Sequence, residues 1–158
     1  MRASAFIGVV VLAVAAPAVP AQAQLRDTKL ITLDGAKNII AAAEAEARKN
    51  NWNLAIAVVD AAGGLVAFEK MDGAGPSNVD FALGKARTAA RYRRATKLLD
   101  SAVTAGRMAF LATDALPIEG GVPVTVNGLV IGAVACSGGT SAQDAQAAMA
   151  GIAALKLQ

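Results

Sequence analysis

Apolar residues recur at three- and four-residue spacing through Ala36, Ile39, Ile40, Ala43 and Ala47. That rhythm places them on one side of a helix over about 33–50. Thr32 is its expected N-cap, Glu44, Glu46, Arg48 and Lys49 form its wet face, and Asn50-Asn51 ends it. From Leu54 the period drops to two, so Leu54, Ile56 and Val58 share one face of a half-buried strand ending at Asp60. Ala61-Ala62-Gly63-Gly64 turns the chain and 65–71 runs back, giving a first hairpin. A loop at Asp72-Gly73-Ala74-Gly75-Pro76 follows, and Ser77 or Asn78 caps a helix over about 79–92. On that helix Phe81, Lys85, Thr88 and Tyr92 line one stripe, beside a flat strip of Ala82, Ala86 and Ala89 suited to close packing on a sheet. Arg87, Arg91 and Arg94 fall on another side. Lys85 is the odd residue, a cation on an aromatic stripe.

The pattern predicts a shorter helix over 96–108, broken near Ser101, and leaves 109–116 open between helix and strand; Pro117 limits any helix before it. Two apolar runs, 122–126 and 129–137, flank Asn127-Gly128, a dipeptide whose tolerance of positive φ makes it a strong hairpin signal. The second run is small and apolar on both faces, as a central covered strand requires. Thr140 or Ser141 caps an Ala-rich final helix to about 157. This order predicts an α/β (α+β) fold: a single, mainly antiparallel sheet of about five strands with helices packed on it.

The first residues change the picture. Met1-Arg2, an apolar run from Ala5 to Ala16 and the small-residue site Ala21-Gln22-Ala23 read as a signal peptide over 1–23, leaving 24–158 as one domain. Pro17 and Pro20 break the apolar run, which is too short to span a bilayer, so the expectation is an exported protein, periplasmic or extracellular, with no membrane span after cleavage. The formal charge is +3 and becomes +2 once Arg2 is removed, which does not argue for nucleic acid. Cys136 is the only cysteine, so no intrachain disulfide forms, and its place in the central strand predicts a buried inert thiol. Stability must come from packing and from self-association.

The matching pieces VVDAAGGLVAFEKMDGAGP, ALGKARTAA and PIEGGVPVTVNGLVIGAVACSGGTSAQDAQAAMAG together resemble the GlcG/HbpS family, also described as the haem-degrading-domain family. The resemblance runs from about Leu30 to Leu155. It implies an α/β domain that assembles into homo-oligomers, with some relatives binding haem or a corrinoid. Haem-binding relatives generally rely on histidine, and this chain has none. An axial ligand here would be Tyr92, Cys136, Met71, Met108, Met149 or Lys85, or absent, and tuning through imidazole is impossible.

Several residues carry candidate chemistry. Lys85 and Thr88 match the family's helix motif; Lys85 either meets a ligand's carboxylate, acts as a base when buried, or has only a structural role, snorkelling past Phe81 to water or pairing with an acid of the chain. The basic run Arg87, Arg91, Arg93, Arg94 and Lys97 receives anions or simply forms a solvated face. Gly120-Gly121 can point N–H groups at an anionic or carbonyl oxygen with Glu119 beside them as a base, or can be only a tight corner. Ser137-Gly138 precedes a helix N-terminus that attracts anions, although capping alone explains the stretch and is the better-supported reading. Asp144 complements that helix dipole, and Asp60 and Asp72 serve turns. The expected function is small-ligand binding, with haem, another tetrapyrrole or a small anionic organic molecule as ligand. Lys85, Thr88, Tyr92, Glu119, Gly120, Gly121, Ser137 and Gly138 would bind it, in a pocket between the Lys85 helix and the Gly120-Gly121 corner. The alternative is an isomerase-like enzyme that moves a proton on a small carboxylic acid, using Lys85 or Glu119. No metal site is expected.

Overall fold

A computed structural model describes residues 28–155. The segment expected to be a signal peptide, the residues up to 27 that follow it and the expected end of the last helix near Leu157 lie outside the described residues. Helix α1 spans Leu33–Lys49, and Thr32 Oγ1 caps it by accepting the Gly35 N–H at 3.1 Å. Strands β1 (Ala55–Asp60) and β2 (Leu65–Lys70) form the first hairpin. Asp60 organises its turn, since Oδ1 accepts the N–H groups of Ala62 and Gly64, both at 2.8 Å. Helix α2 (Asn78–Arg91) follows; Ser77 stands at its N-cap without a side-chain capping bond. Helix α3 (Thr96–Thr104), a 3₁₀ turn (Met108–Ala112), strands β3 (Gly121–Val126) and β4 (Leu129–Ser137) and helix α4 (Ser141–Ala153) complete the order. Asn127 and Gly128 both adopt positive φ, 51° and 77°, as the hairpin signal requires. Thr140 closes a reciprocal capping box with Gln143 at the start of α4.

The sheet has four strands in the order β2-β1-β4-β3, every pair antiparallel, rather than about five. The open segment 109–116 becomes a 3₁₀ turn and loop, and Pro123 on the outer strand β3 has no N–H to offer a further strand. Helix α3 stops at Thr104, four residues earlier than expected. The Gly106 N–H bonds Val103 O and the Arg107 N–H bonds Ala102 O, a Schellman closure. Strand β1 is covered on both faces rather than half-buried, because helices lie on both sides of it.

The two faces differ in composition. Leu54, Ile56, Val58, Val124, Val134 and Cys136 pack against α1 and α4. On the opposite face Ala55, Ala57, Val59, Ala133 and Ala135 meet Ala82, Ala86, Ala89 and Ala90 of α2. No helix among the described residues is long and apolar enough to cross a membrane.

Candidate functional site

The strip of alanines lets α2 approach the sheet closely, and this brings Lys85 to the beginning of β3. A Cβ on Gly121 would stand 2.5 Å from the Lys85 carbonyl oxygen, so only glycine fits there. The neighbouring Gly120 has φ 131°, and a Cβ on it would stand 2.8 Å from Lys85 Nζ. Thr96, the first residue of α3, locks the corner: its hydroxyl accepts the Gly121 N–H at 2.9 Å. Gly120 O accepts the Cys136 N–H at 3.2 Å.

Lys85 is 3% exposed. Its ammonium donates to Asp144 Oδ2 at 2.8 Å and to Cys136 O at 3.3 Å. Asp144, 2% exposed, comes from the first turn of α4, on the opposite face of the sheet from α2. The pair therefore ties the two helical layers together past the ends of the central strands. Asp144 Oδ1 accepts the Gly139 N–H at 3.0 Å, and the Gly138 N–H also favours the carboxylate. Burial nevertheless pushes the Asp144 carboxyl above its ordinary range, with Lys85 and the two glycine N–H groups opposing the shift only in part. Burial, and then the Asp144 charge, raise the Cys136 thiol, which fits an inert core cysteine.

The structure thus brings Lys85, Gly120, Gly121, Ser137 and Gly138 to one junction, but the junction is filled. Asp144 occupies the place expected for a ligand's carboxylate, so the anticipated pocket between Lys85 and the Gly120-Gly121 corner is closed. Glu119 is held elsewhere: Oε1 accepts from Lys97 Nζ at 2.9 Å and its N–H donates to Asp100 Oδ2 at 2.9 Å. Those three residues line a separate polar cleft with Ser101 and Thr104.

The expected Phe81–Lys85–Thr88–Tyr92 stripe also splits. Lys85 and Thr88 are buried, while Phe81 is exposed and Tyr92 half-buried, because the middle of α2 is pressed on the sheet and its outer side is not. Thr88 Oγ1 accepts the Leu116 N–H at 2.8 Å and fastens the segment after the 3₁₀ turn along α2. A largely apolar cleft of about 410 Å³ runs between them, lined by Asp80, Phe81, Gly84, Thr113, Asp114 and Leu116, among others. At its far end Asp114 accepts from the Tyr92 hydroxyl at 3.2 Å and from Arg91 at 3.0 Å. Tyr92 also packs edge-on against Phe110, whose ring carries the Arg107 guanidinium 5.0 Å from its centre. Arg87 and Arg91 donate to the backbone of the first hairpin turn.

Sequence reasoning missed Asp144 as the Lys85 partner, and missed Thr96 and Asp114. One signal was present for the first: Asp144 is the sole acid after Glu119, so a buried lysine near the last strand had few partners. Nothing comparable marked Thr96 or Asp114. Among the described residues no cluster of three or more cysteine, aspartate or glutamate residues is arranged to hold a metal ion.

A family profile described as "Haem degrading protein HbpS-like" matches residues 31–153, the span from the start of α1 to the end of α4. The chain belongs to the HbpS-like family. Protein GlcG of Escherichia coli (strain K12) is 50% identical to it over 103 residues, 65% of this chain and 77% of GlcG. Among solved structures, a double mutant of Streptomyces reticuli HbpS superposes with a TM-score of 0.78 at 31% identity, over 90% of this chain and 98% of that one. A PduOC:heme complex superposes with a TM-score of 0.75 at 25% identity, covering 82% and 98% of the respective chains. This HbpS-like chain keeps the helical and sheet layers of the fold and carries no histidine in any of them.

Proposed function

We propose that this HbpS-like chain is an exported, self-associating small-ligand-binding protein. Its leading ligand class is haem or another tetrapyrrole, and a small anionic organic molecule is the other candidate. The observation that carries the reading is the open, largely apolar cleft along the outer side of α2, in a fold shared with a haem complex. A planar apolar macrocycle suits walls made by Phe81, Gly84 and Leu116. Arg91 and Arg107 stand near the Asp114 end of the cleft, where they can meet propionate or other carboxylate groups.

A bound haem would supply its own iron chemistry. The chain would supply apolar walls from Phe81, Gly84 and Leu116, with Arg91 held beside their Asp114 end. Export is supported by the Met1–Ala23 pattern, and self-association by Leu98, Met108 and Leu111, each 60% exposed around α3 and the 3₁₀ turn. The enzyme reading needs Lys85 or Glu119 to reach a substrate. Lys85 is enclosed with Asp144, and Glu119 is held by Lys97, so the geometry supports binding better than proton transfer.

Haemin titration of the purified protein, followed by absorbance, is the test. A saturable Soret shift at a fixed stoichiometry is expected. Gly84→Leu, whose side chain would project against Leu116, should weaken it at least about tenfold, a discrimination of the size steric exclusion gives. Non-saturating absorption that is equal in both proteins would reject the reading. Intact mass and light scattering on protein expressed with its full N-terminus check cleavage after Ala23 and self-association.

A further inference from the structure

The wall of the cleft that faces α2 continues a stretch of chain bonded mainly to itself. Beyond the end of α3 the Met108 N–H bonds Gly106 O at 2.9 Å. The Thr113 N–H and hydroxyl both donate to Phe110 O, at 3.3 and 2.7 Å, and the Ala115 N–H donates to Thr113 Oγ1 at 3.2 Å. The 3₁₀ turn buries none of its residues. At one end stands Gly106, whose φ of 95° suits glycine and where an added Cβ would meet nothing within 4 Å. The other end is fixed, because the Leu116 N–H donates to the buried Thr88 hydroxyl and the Leu116 side chain lies against Gly84. Between those ends, the side-chain ties to α2 converge on Arg91 and Tyr92. Asp114 accepts from Arg91 at 3.0 Å and from the Tyr92 hydroxyl at 3.2 Å, and Phe110 meets the Tyr92 ring edge-on. The Arg91 and Asp114 side chains are 47% and 61% exposed, so their ion pair is weak and screened by salt.

We propose that residues 107–115 form a strap that pivots at Gly106, and that Asp114 is the latch holding it on α2. Latched, Thr113 and Asp114 close the far end of the cleft that they line with Phe81 and Gly84. Released, that end opens and a ligand enters beside α2 without any change in the sheet. The Leu116–Thr88 bond keeps the near end in place, so the motion is a swing of one segment. A segment with local hydrogen bonds and no buried side chain opens far more readily than the core. The strap rests on the reading of this cleft as the binding site for its purpose only; the latch belongs to the unliganded chain.

Tyr92 is the only tyrosine, so protein grown on isotope-labelled tyrosine reports the latch in NMR through one residue's signals. Wild type and Asp114→Ala are compared without ligand, with circular dichroism to confirm folding. Asp114→Ala should move the ring signals towards those of free tyrosine. Salt at about 1 M, where the screening length falls to about 3 Å, should move the wild-type signals the same way. Trypsin cleavage after the exposed Arg107, read by fragment mass, should be about fivefold faster in Asp114→Ala, a ratio of the size an exposed ion pair supports. If the tyrosine signals move while cleavage after Arg107 keeps its wild-type rate, only a hydrogen bond has been lost and the strap is overturned. Signals and cleavage that are the same in both proteins overturn it too. No ligand takes part, so a failed haemin titration would reject the ligand reading and leave the strap to these two measurements.

Discussion

The two faces of the sheet are built on opposite plans. Against α1 and α4 lie Leu54, Ile56, Val58 and Val134, fully buried and packed on Ile39 and Ile40. Burying a side chain of that size contributes about 1.5–3 kcal/mol, so this face supplies most of the hydrophobic stabilisation. Against α2 lie alanines, with Val59 the one larger fully buried residue and Phe68 partly buried beside them, and the helix answers with four alanines of its own. Each alanine contributes little, but together they let a helix backbone approach a strand until the Lys85 carbonyl meets Gly121. The aliphatic face provides stability and the alanine face provides position. Lys85 and Thr88 belong to the second, where a tightly seated helix holds its polar groups at fixed distances.

The largest expected effect comes from cutting the tie between the layers. Asp144→Ala leaves the Lys85 ammonium buried without its carboxylate and should cost about 3–5 kcal/mol in denaturant unfolding. Replacing both partners, Lys85→Met with Asp144→Leu, should recover most of that loss, because a buried pair replaced by apolar groups is often neutral. A double variant as unstable as the single one would mean that the junction needs its charges.

Next in size is a direct contrast between the faces. Ile56→Ala should cost about 2–5 kcal/mol through the cavity it leaves, whereas Ala89→Leu should cost about 1–3 kcal/mol by overpacking. If Ala89→Leu is tolerated without loss, α2 is less closely seated than the alanine strip implies.

The smallest expected effect is a pH slope. Because the Asp144 carboxyl is raised in the fold, its contribution to stability is greatest below the unfolded aspartate pKa, about 4, and declines as pH climbs through the folded value. Asp144→Asn cannot titrate there. The stability of wild type relative to Asp144→Asn should therefore fall with rising pH across that window; a relative stability that climbs instead would reverse the assigned shift.

Periodicity and turn chemistry in the sequence determined a great deal. The two hairpins, the caps at Thr32 and Thr140, the Asp60 turn and the flat strip on α2 are local properties, set by φ preference, side-chain period and short-range hydrogen bonds. The family pattern was legible as well, and the matched span 31–153 takes in both hairpins and the Gly120-Gly121 corner. Only the tertiary structure decided what the candidate residues do. Lys85 and Asp144 are separated by 59 positions, and the Tyr92 phenol and Asp114 by 22. No helical or strand period reaches across such intervals. The same is true of β1, whose alternation announced one covered face while its neighbours covered both. An ion pair, a cleft and the second side of a strand are produced by elements arriving from distant parts of the chain, and their partners are chosen by packing.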